Sequence, residues 1–366
     1  SIRCKFCSSL NTKRSGHRTL SDGRKIARFI CKDCARSWVA NHSQIVNNDS
    51  HEVVKESLER ASVRILSRRY GMGTKQINNT IHRITDGVKD SIWIAKHFPL
   101  NWSGTLVFDG KVVRVYDRLS KQLKGKLSEQ ELMWMNKKTW LCGIDYGTGD
   151  LPHYDLADDE SKIDLVMYFR ALKEIGYLLR VLVCDGNPDT PSAAKHVFGD
   201  DIIIQLCTRH FVESLKRHAK EQINQPNIQK IICTIQRIIE ADDLETAGKY
   251  LEYLKQINRR TKTENELVNL FKKHAQKLTA HLLHPELNIP HTSNDIENLF
   301  RQLNLRLKTI GRFYRWQYAR DYLKAWALLR RFTKFTDCRN GRRWRNGKAP
   351  IQIAGANITG IDYLKL

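Results

Sequence analysis

Three acidic residues stand where the sequence pattern predicts chemistry. Asp109 follows the apolar run 106–108, Asp185 follows the apolar run 181–184, and Glu297 lies near the start of a helical segment. Magnesium prefers carboxylate oxygens and keeps several waters, so two or three carboxylates suit it better than a closed cage. Two such ions about 4 Å apart can activate an attacking oxygen and stabilise a leaving oxygen in phosphoryl transfer. The three acids therefore predict a catalytic site for Mg²⁺ or Mn²⁺.

Each of these acids also has a purely structural explanation. Asp109 and Asp185 each precede a glycine, and Asp-Gly is common in turns. Glu297 lies three residues after Asn294, so the two could form a capping box at a helix start. The set is more informative than its members. Both aspartates are expected to end strands of one sheet, where their side chains could converge above its edge.

Four cysteines near the N-terminus have the spacing of a metal site. Cys4 and Cys7 form one Cys-x-x-Cys pair, Cys31 and Cys34 form another, and 23 residues separate the pairs. Two such pairs complete a closed tetrahedral shell, which is typical of structural Zn²⁺, whereas four unrelated thiols are the alternative. The chain has nine cysteines in all, and their pattern indicates a reducing cytoplasm and not a disulfide scaffold.

The charge of the chain indicates its partner. Its 366 residues include 62 Lys and Arg against 39 Asp and Glu, a formal net charge of +23. Residues 301–350 hold 15 basic and 2 acidic side chains, and residues 1–50 hold 10 and 3. Such an excess repels itself unless a polyanion offsets it, which favours double-stranded DNA. A membrane is not expected, because no apolar run approaches ~20 residues and no signal peptide is evident, although the start at Ser1 leaves room for residues upstream.

Two helices are predicted after the cysteine unit. Residues 53–70 and 75–84 show helical apolar spacing, a glycine-containing turn at 71–73 separates them, and Thr74 is the expected N-cap of the second helix. This arrangement is typical of a helix-turn-helix, with an ordinary helical hairpin as the alternative. The polar face of the second helix holds four side chains that we expect to contact DNA: Lys75, Asn78, Asn79 and His82.

The segment that starts at residue 102 predicts a mixed sheet. Antiparallel strands followed by βαβ crossovers give an α/β fold with helices on the faces of the sheet. Residues 211–290 then show only helical spacing. The expected order is strands at 105–109, 111–116 and 139–146, a helix at 161–176, a strand at 180–185, a helix at 192–198 and a strand at 201–206.

Together these residues resemble the DDE transposases of the Mutator-like superfamily, insertion-sequence enzymes with a ribonuclease H-like core. The resemblance covers about residues 100–335. It implies an α/β fold in which a ribonuclease H-like mixed sheet carries an all-helical insertion, preceded by a small zinc ribbon and a helix-turn-helix. The matching pieces, in chain order, are Leu106-Val107-Phe108-Asp109-Gly110, Val183-Cys184-Asp185-Gly186, Cys207-Thr208-Arg209-His210 and Ser293-Asn294-Asp295-Ile296-Glu297.

The resemblance implies that Asp109, Asp185 and Glu297 hold catalytic Mg²⁺ (or Mn²⁺), which would activate water to cleave an element end and then the freed 3′ hydroxyl to attack target DNA. Cys207 and His210 would be secondary site residues; a buried cysteine and a core histidine are the alternative. A homodimer or higher assembly on DNA and a cytoplasmic, nucleoid-associated location in a prokaryote are also implied. A non-catalytic DNA-binding regulator derived from a transposase and a nuclease on the same core are the competing hypotheses.

The last basic segment interleaves aromatic and basic residues, and contacts of this kind make DNA binding strongly salt-dependent. The side chains that we expect to contact DNA there are Arg312, Arg315, Arg342, Arg343, Trp344 and Arg345. The expected domains are a zinc ribbon at 1–45, a helix-turn-helix at 50–98, the first part of the catalytic core at 100–211, the helical insertion at 212–290, the last part of the core at 291–335 and a basic tail at 336–366.

Overall fold

The computed structural model divides into two compact units, Ser1–Val53 and Val54–Leu366. The domain boundaries expected from the sequence stay predictions, and the ribbon boundary near residue 45 lies outside the described residues. The structure describes residues 3–4, 6–7, 9–19, 23, 25–39, 49–115, 125–126, 128, 137–339 and 341–366.

The smaller unit contains a three-stranded antiparallel sheet in the order β1-β2-β3. Its apolar core is very small: Cys4, Cys31 and Trp38 are buried, and Phe29 stacks on Trp38 with ring centroids 5.9 Å apart. So small a core contributes little to the stability of this unit, and a bound metal would have to supply most of its folding free energy. The strands are β1 (Thr12–Thr19), β2 (Lys25–Cys31) and β3 (Ser37–Val39).

Four short helices follow, where the sequence predicted a single helix over 53–70 and a second one. The long helix is interrupted, because Ser62 starts a new helix by accepting a hydrogen bond from the Ile65 N–H. That helix ends at Gly71, whose left-handed backbone (φ 61°) favours glycine. The next helix includes Thr74 and has Gly73 as its N-cap, so the expectation of a Thr74 cap is wrong. The helices are α1 (Asp49–Glu59), α2 (Val63–Tyr70), α3 (Thr74–Gly87) and α4 (Ser91–His97).

A five-stranded mixed sheet forms the centre of the larger unit, in the order β6-β5-β4-β7-β8. β4 pairs antiparallel with β5 and parallel with β7. β6 is antiparallel to β5, and β8 is parallel to β7. The expected mixed α/β sheet is confirmed. The strands are β4 (Thr105–Arg114), β5 (Lys137–Asp145), β6 (Tyr154–Ala157), β7 (Val181–Cys184) and β8 (Ile203–Leu206).

The start of this sheet differs from the sequence prediction. Residues 105–109 and 111–114 are one strand, because every residue from Leu106 to Arg114 has a partner in β5. Asp109-Gly110 is therefore not a turn, and Asp109 does not end a strand. The third antiparallel strand is β6, which the sequence did not indicate; the expected strand residue Tyr116 lies outside the described residues.

Apolar residues cover both faces of the sheet. On one face Phe108 packs against Tyr168 and Phe169, with ring centroids 4.9 Å and 5.5 Å away. On the other face Trp140 contacts Phe300 and Trp326, at 6.0 Å and 5.8 Å. The helices that supply these partners are α5 (Lys162–Glu174), α12 (Asn294–Ile310) and α13 (Trp316–Phe332).

The helical character expected of residues 211–290 is confirmed. These helices share one apolar core with the sheet and α5. Within the described ranges, no helix combines the length and apolar content that a membrane crossing requires. The remaining helices are α6 (Asp189–Phe198), α7 (Thr208–Ala219), α8 (Pro226–Ile239), α9 (Leu244–Gln256), α10 (Lys262–Leu278), α11 (Ala280–Leu283) and, in the tail, α14 (Pro350–Ile353).

Candidate active site

The register of β4 and β7 aligns two of the predicted acids. The parallel pairing ends at Val107 and Val183, and Asp109 and Asp185 each follow two residues later. β4 continues past the end of β7. Asp109 therefore lies within a strand, beside the point where the residues that follow β7 leave the sheet. Side chains two residues apart on a strand point to the same face, so Asp109 shares the face of Val107.

Asp109 lies in an environment that disfavours its charged form. Burial, together with the charges of Asp185 and Glu160, raises the pKa of Asp109 to about 7, against a hydrogen bond from the Gly110 N–H and the charge of His210. Crowded carboxylates favour protonation or a bound cation. Asp185 is half-buried and accepts a hydrogen bond from the Asn187 N–H at 3.0 Å.

Glu160 is an additional acid that the sequence reasoning missed. Its carboxylate lies against Gly110, in the space that any side chain at that position would occupy. Burial and the charge of Asp185 raise the pKa of Glu160, and a hydrogen bond with the Asn187 side chain opposes them. One sequence signal was available: Glu160 stands directly before Ser161, the N-cap of the helix that follows the antiparallel strands.

Glu297, the third predicted acid, is held by side chains from two helices. Its Oε2 forms an ion pair with Arg209, and its Oε1 lies 2.9 Å from the Ser293 hydroxyl, which donates to it. Ser293 is the N-cap of α12, without a side-chain cap bond, and Asn294 is the first helical residue. Glu297 is therefore not the partner of Asn294 in a capping box, and its carboxylate is free of that structural role.

Cys207 and His210 lie next to Glu297. Atoms of all three side chains are within 4.8 Å of one another, with His210 Nε2 3.7 Å from Glu297 Oε1. Burial alone would raise the pKa of the Cys207 thiol, but interactions with His210 and Ser293 lower it to about 7. Cys207 raises the pKa of His210 in turn, and the charges of Asp109 and Asp185 act in the same direction. His210 thus interacts with all three predicted acids.

The three predicted acids do not form a closed ligand set by themselves. In the part of the chain that the structure describes, the groups whose ligand atoms all lie within 4.8 Å of one another are the four N-terminal cysteines and the group of Cys207, His210 and Glu297. Asp185 and Glu160 are near enough to raise the pKa of Asp109, while Glu297 lies with Cys207 and His210.

The four N-terminal cysteines converge as the spacing predicts. Cys4 Sγ lies 3.6 Å from Cys34 Sγ, and Cys7 Sγ lies 3.6 Å from Cys31 Sγ. None of the four is in a disulfide. All four sulfur atoms are within 4.8 Å of one another, so the cluster could hold a zinc ion in a closed shell.

The predicted DNA-contacting residues of α3 differ in exposure. Lys75, Asn78 and Asn79 are exposed. His82 is half-buried and stacks on Tyr318, with ring centroids 3.6 Å apart; burial lowers the pKa of His82. Two further predicted residues lie on the segment before α13: Arg315, above the Tyr318 ring at 5.5 Å, and Arg312, above Tyr314 at 5.6 Å.

Four consecutive residues of the tail differ in exposure. Arg342 forms an ion pair with Asp295 at 2.8 Å, and the buried Arg345 donates to the Tyr146 carbonyl at 2.6 Å. Arg343 and Trp344 are exposed, Trp344 by 52%. Arg342 and Arg345 therefore fasten the tail, whereas Arg343 and Trp344 face solvent.

No family model and no curated protein matches the chain. Among solved structures, the chain is similar to the Drosophila P element transposase strand transfer complex, with 11% sequence identity, 81% of this chain and 93% of that chain covered, and a TM-score of 0.44. A likeness at this level establishes neither the fold nor the chemistry, so the function rests on the residues described above.

Proposed function

We propose that the protein is a DNA transposase that cleaves the ends of a mobile element and joins the freed 3′ hydroxyl to target DNA, with Asp109, Asp185 and Glu297 as the metal-holding acids. The main support is the parallel register of β4 and β7, which pairs Val107 with Val183. Asp109 and Asp185 each come two residues later along the chain. His210 supports the inclusion of Glu297, because it lies 3.7 Å from that residue and interacts electrostatically with both aspartates.

Mg²⁺ or Mn²⁺ fits this set of donors. Burial and the neighbouring charges of Asp185 and Glu160 raise the pKa of Asp109, and a divalent cation would relieve that crowding. When bound, such an ion would neutralise charge on the phosphate and lower the pKa of the attacking water or hydroxyl. Asp109 and Asp185 would hold it, with Glu297 as the third acid and Glu160 as a fourth acid beside Asp185.

The proposed core fold is ribonuclease H-like. Its support is the sheet order β6-β5-β4-β7-β8, in which antiparallel pairs are followed by parallel pairs. The helices α8 to α11 would be the insertion that separates Asp185 from Glu297 along the chain.

Double-stranded DNA is the proposed partner. The net charge of +23 supplies nonspecific attraction to phosphate, and the exposed Lys75, Asn78 and Asn79 of α3 give a polar surface of the kind that enters a groove. In the tail, Arg343 and Trp344 would contact phosphate and stack on bases. The four-cysteine cluster would hold structural Zn²⁺, and a homodimer or higher assembly would pair two element ends.

Strand transfer in Mg²⁺ tests the proposal. The substrate is a linear DNA that carries the genomic sequence flanking the coding region, pre-cleaved to expose a 3′ hydroxyl, with a supercoiled plasmid as target. We expect joined products with the wild type and none with Glu297→Gln, while Glu286→Gln, an exposed acid outside the site, keeps activity. Nicking without joining would instead identify a nuclease, and DNA binding without either product would identify a regulator.

A further inference from the structure

We propose that Cys207, His210 and Glu297 form a binding site for a soft or borderline divalent cation such as Zn²⁺, and that a cation held there keeps Glu297 from the metal proposed at Asp109 and Asp185. The site belongs to the larger unit and is separate in sequence from the N-terminal cysteines. Its ligand atoms lie within 4.8 Å of one another. The binding part stands alone, whereas the inhibitory part depends on the proposed function.

The donor types select the metal. A thiolate and an imidazole suit Zn²⁺ and other soft or borderline ions, whereas Mg²⁺ prefers the all-oxygen set offered by Asp109 and Asp185. Two neighbouring sites can therefore discriminate between metals by chemistry alone. Three protein ligands leave a fourth position open, unlike the closed four-cysteine cluster, and an open position is compatible with exchange.

A second layer of hydrogen bonds orients the ligands. The Ser293 hydroxyl lies 3.2 Å from Cys207 Sγ and 2.9 Å from Glu297 Oε1, and the Ser293 N–H donates to the same sulfur at 3.4 Å. Outer partners of this kind fix ligand direction in metal sites. His210 Nδ1 is buried and makes no hydrogen bond to the residues that the structure describes.

The backbone around Cys207 is fixed as well. Its N–H donates to the Cys184 carbonyl at 2.8 Å, and the Thr208 N–H donates to the His291 carbonyl at 2.9 Å. These bonds join the end of β8 to the strand that leads to Asp185 and to the segment before α12. The cysteine cannot shift without disturbing both.

The orientation of the Glu297 carboxylate allows it to bind either a cation at Cys207 and His210 or the metal proposed at Asp109 and Asp185, but not both. Arg209 holds Oε2, so Oε1 is the oxygen that faces His210 and Ser293. A cation bound by Cys207 and His210 would take that oxygen and keep it from a second metal. The adjacent Arg209 charge would weaken binding, so we expect a reversible site of lower affinity than the four-cysteine cluster.

Metal titration of the full chain tests the binding. Metal-free protein is titrated with Zn²⁺ against a chromophoric chelator, and with Co²⁺ to observe thiolate charge-transfer absorption. We expect two Zn²⁺ per wild-type chain, one tight and one weaker, and loss of only the weaker one in Cys207→Ser and in His210→Asn. Ser293→Ala should weaken the weaker site about 10-fold to 100-fold. Cys233→Ser, at an exposed cysteine elsewhere, should keep both.

A single Zn²⁺ in the wild type, or two sites of unchanged affinity in both folded ligand variants, would overturn the site. Circular dichroism of each variant identifies a folding failure, and the two ligand variants are independent of each other in that respect. If strand transfer is present, Zn²⁺ added at constant Mg²⁺ should inhibit the wild type about 10-fold or more, because the Mg²⁺ site would lose one of its carboxylate ligands. Within each ligand variant, the ratio of rates with and without Zn²⁺ should be close to one.

Inhibition of wild type and variants alike would reject the inhibitory part of the proposal. An absence of strand transfer under all conditions would reject the proposed function and leave the binding result to stand on its own.

Discussion

The N-terminal cysteine cluster and the acidic centre of the sheet use metal ligands in opposite ways. The first has four thiols within 4.8 Å of one another, around a core of Cys4, Cys31 and Trp38. The second has carboxylates on β4, after β7, before α5 and on α12, none of which forms a closed shell with the others in the described residues. A closed shell favours stability and an open one favours ligand exchange. The comparison thus separates a folding role from a chemical one.

The largest expected effect lies in the cysteine cluster. Cys31→Ala opens the four-thiol shell, and structural zinc contributes about 10 kcal/mol or more to the folding of such units. We expect rapid tryptic cleavage within residues 12–39 of the variant, or of the wild type after metal removal, while the segments 54–115 and 137–339 remain resistant. Cys233→Ser is the control. Protection of the 12–39 segment in Cys31→Ala would contradict a metal-dependent unit.

Next in size is the loss of activity on changing an acid of the sheet. Asp109→Asn and Asp185→Asn should each reduce strand cleavage about 10³-fold, because a lost metal contact removes several kcal/mol of charge stabilisation. Rates on a pre-cleaved and an uncleaved substrate provide the measurement. The expected folded state is unchanged, in contrast to the cysteine variant. A folded variant with wild-type rates would exclude that aspartate.

Comparison of Glu160→Gln with Glu297→Gln sharpens the same contrast. Glu160 lies beside Asp185 and Gly110, whereas Glu297 is shared with Cys207 and His210. We expect both changes to reduce Mg²⁺-dependent cleavage, and only Glu297→Gln to weaken Zn²⁺ at the Cys207 site. Equal Zn²⁺ affinity in the wild type and Glu297→Gln would place Glu297 outside that site.

A smaller effect concerns stability and pH. The pKa of Asp109 is raised from 3.8 to about 7, so the folded chain holds a proton that the unfolded chain has already lost between these values. The free energy of unfolding should therefore fall as pH rises from about 4 to about 7, by up to about 4 kcal/mol. Denaturant unfolding across this range should show the fall in the wild type and less of it in Asp109→Asn. Mg²⁺ at pH 8 should restore stability to the wild type alone, and the same pH profile in both proteins would contradict the assignment.

The smallest expected effect is on DNA affinity. Arg343→Ala should weaken binding uniformly across sequences and reduce the slope of log affinity against log salt by about 1. Arg345→Ala should instead destabilise the fold, because that buried side chain donates to two main-chain carbonyls. Fluorescence anisotropy at several salt concentrations, alongside thermal unfolding, separates the two. An unchanged slope in Arg343→Ala would remove this residue from the interface.

The sequence predicts the two regions unequally for a physical reason. The four cysteines are specified by local spacing, and the mixed sheet by its alternating and helical periods. The sequence predicts Asp109 at the end of a strand, because Asp-Gly is typical of a turn. In the structure Asp109 lies inside β4 and pairs with Cys142 of β5. Contacts set by register and long-range packing, such as Glu160 against Gly110 and Ser293 between Cys207 and Glu297, leave no local pattern. The sequence therefore predicts which acids could bind metal, but not which side chains lie next to each of them.

Iron-mediated backbone cleavage tests the central claim most directly, because Fe²⁺ can replace Mg²⁺ and generates oxidising radicals where it is bound. The full chain is treated with Fe²⁺, ascorbate and peroxide, and the fragments are identified by mass spectrometry. A shared metal at Asp109 and Asp185 predicts cuts next to both residues, suppressed by excess Mg²⁺ and absent in Asp185→Asn. Cuts confined to other segments, or unaffected by Mg²⁺ and by the substitution, would contradict a metal centre on these two aspartates.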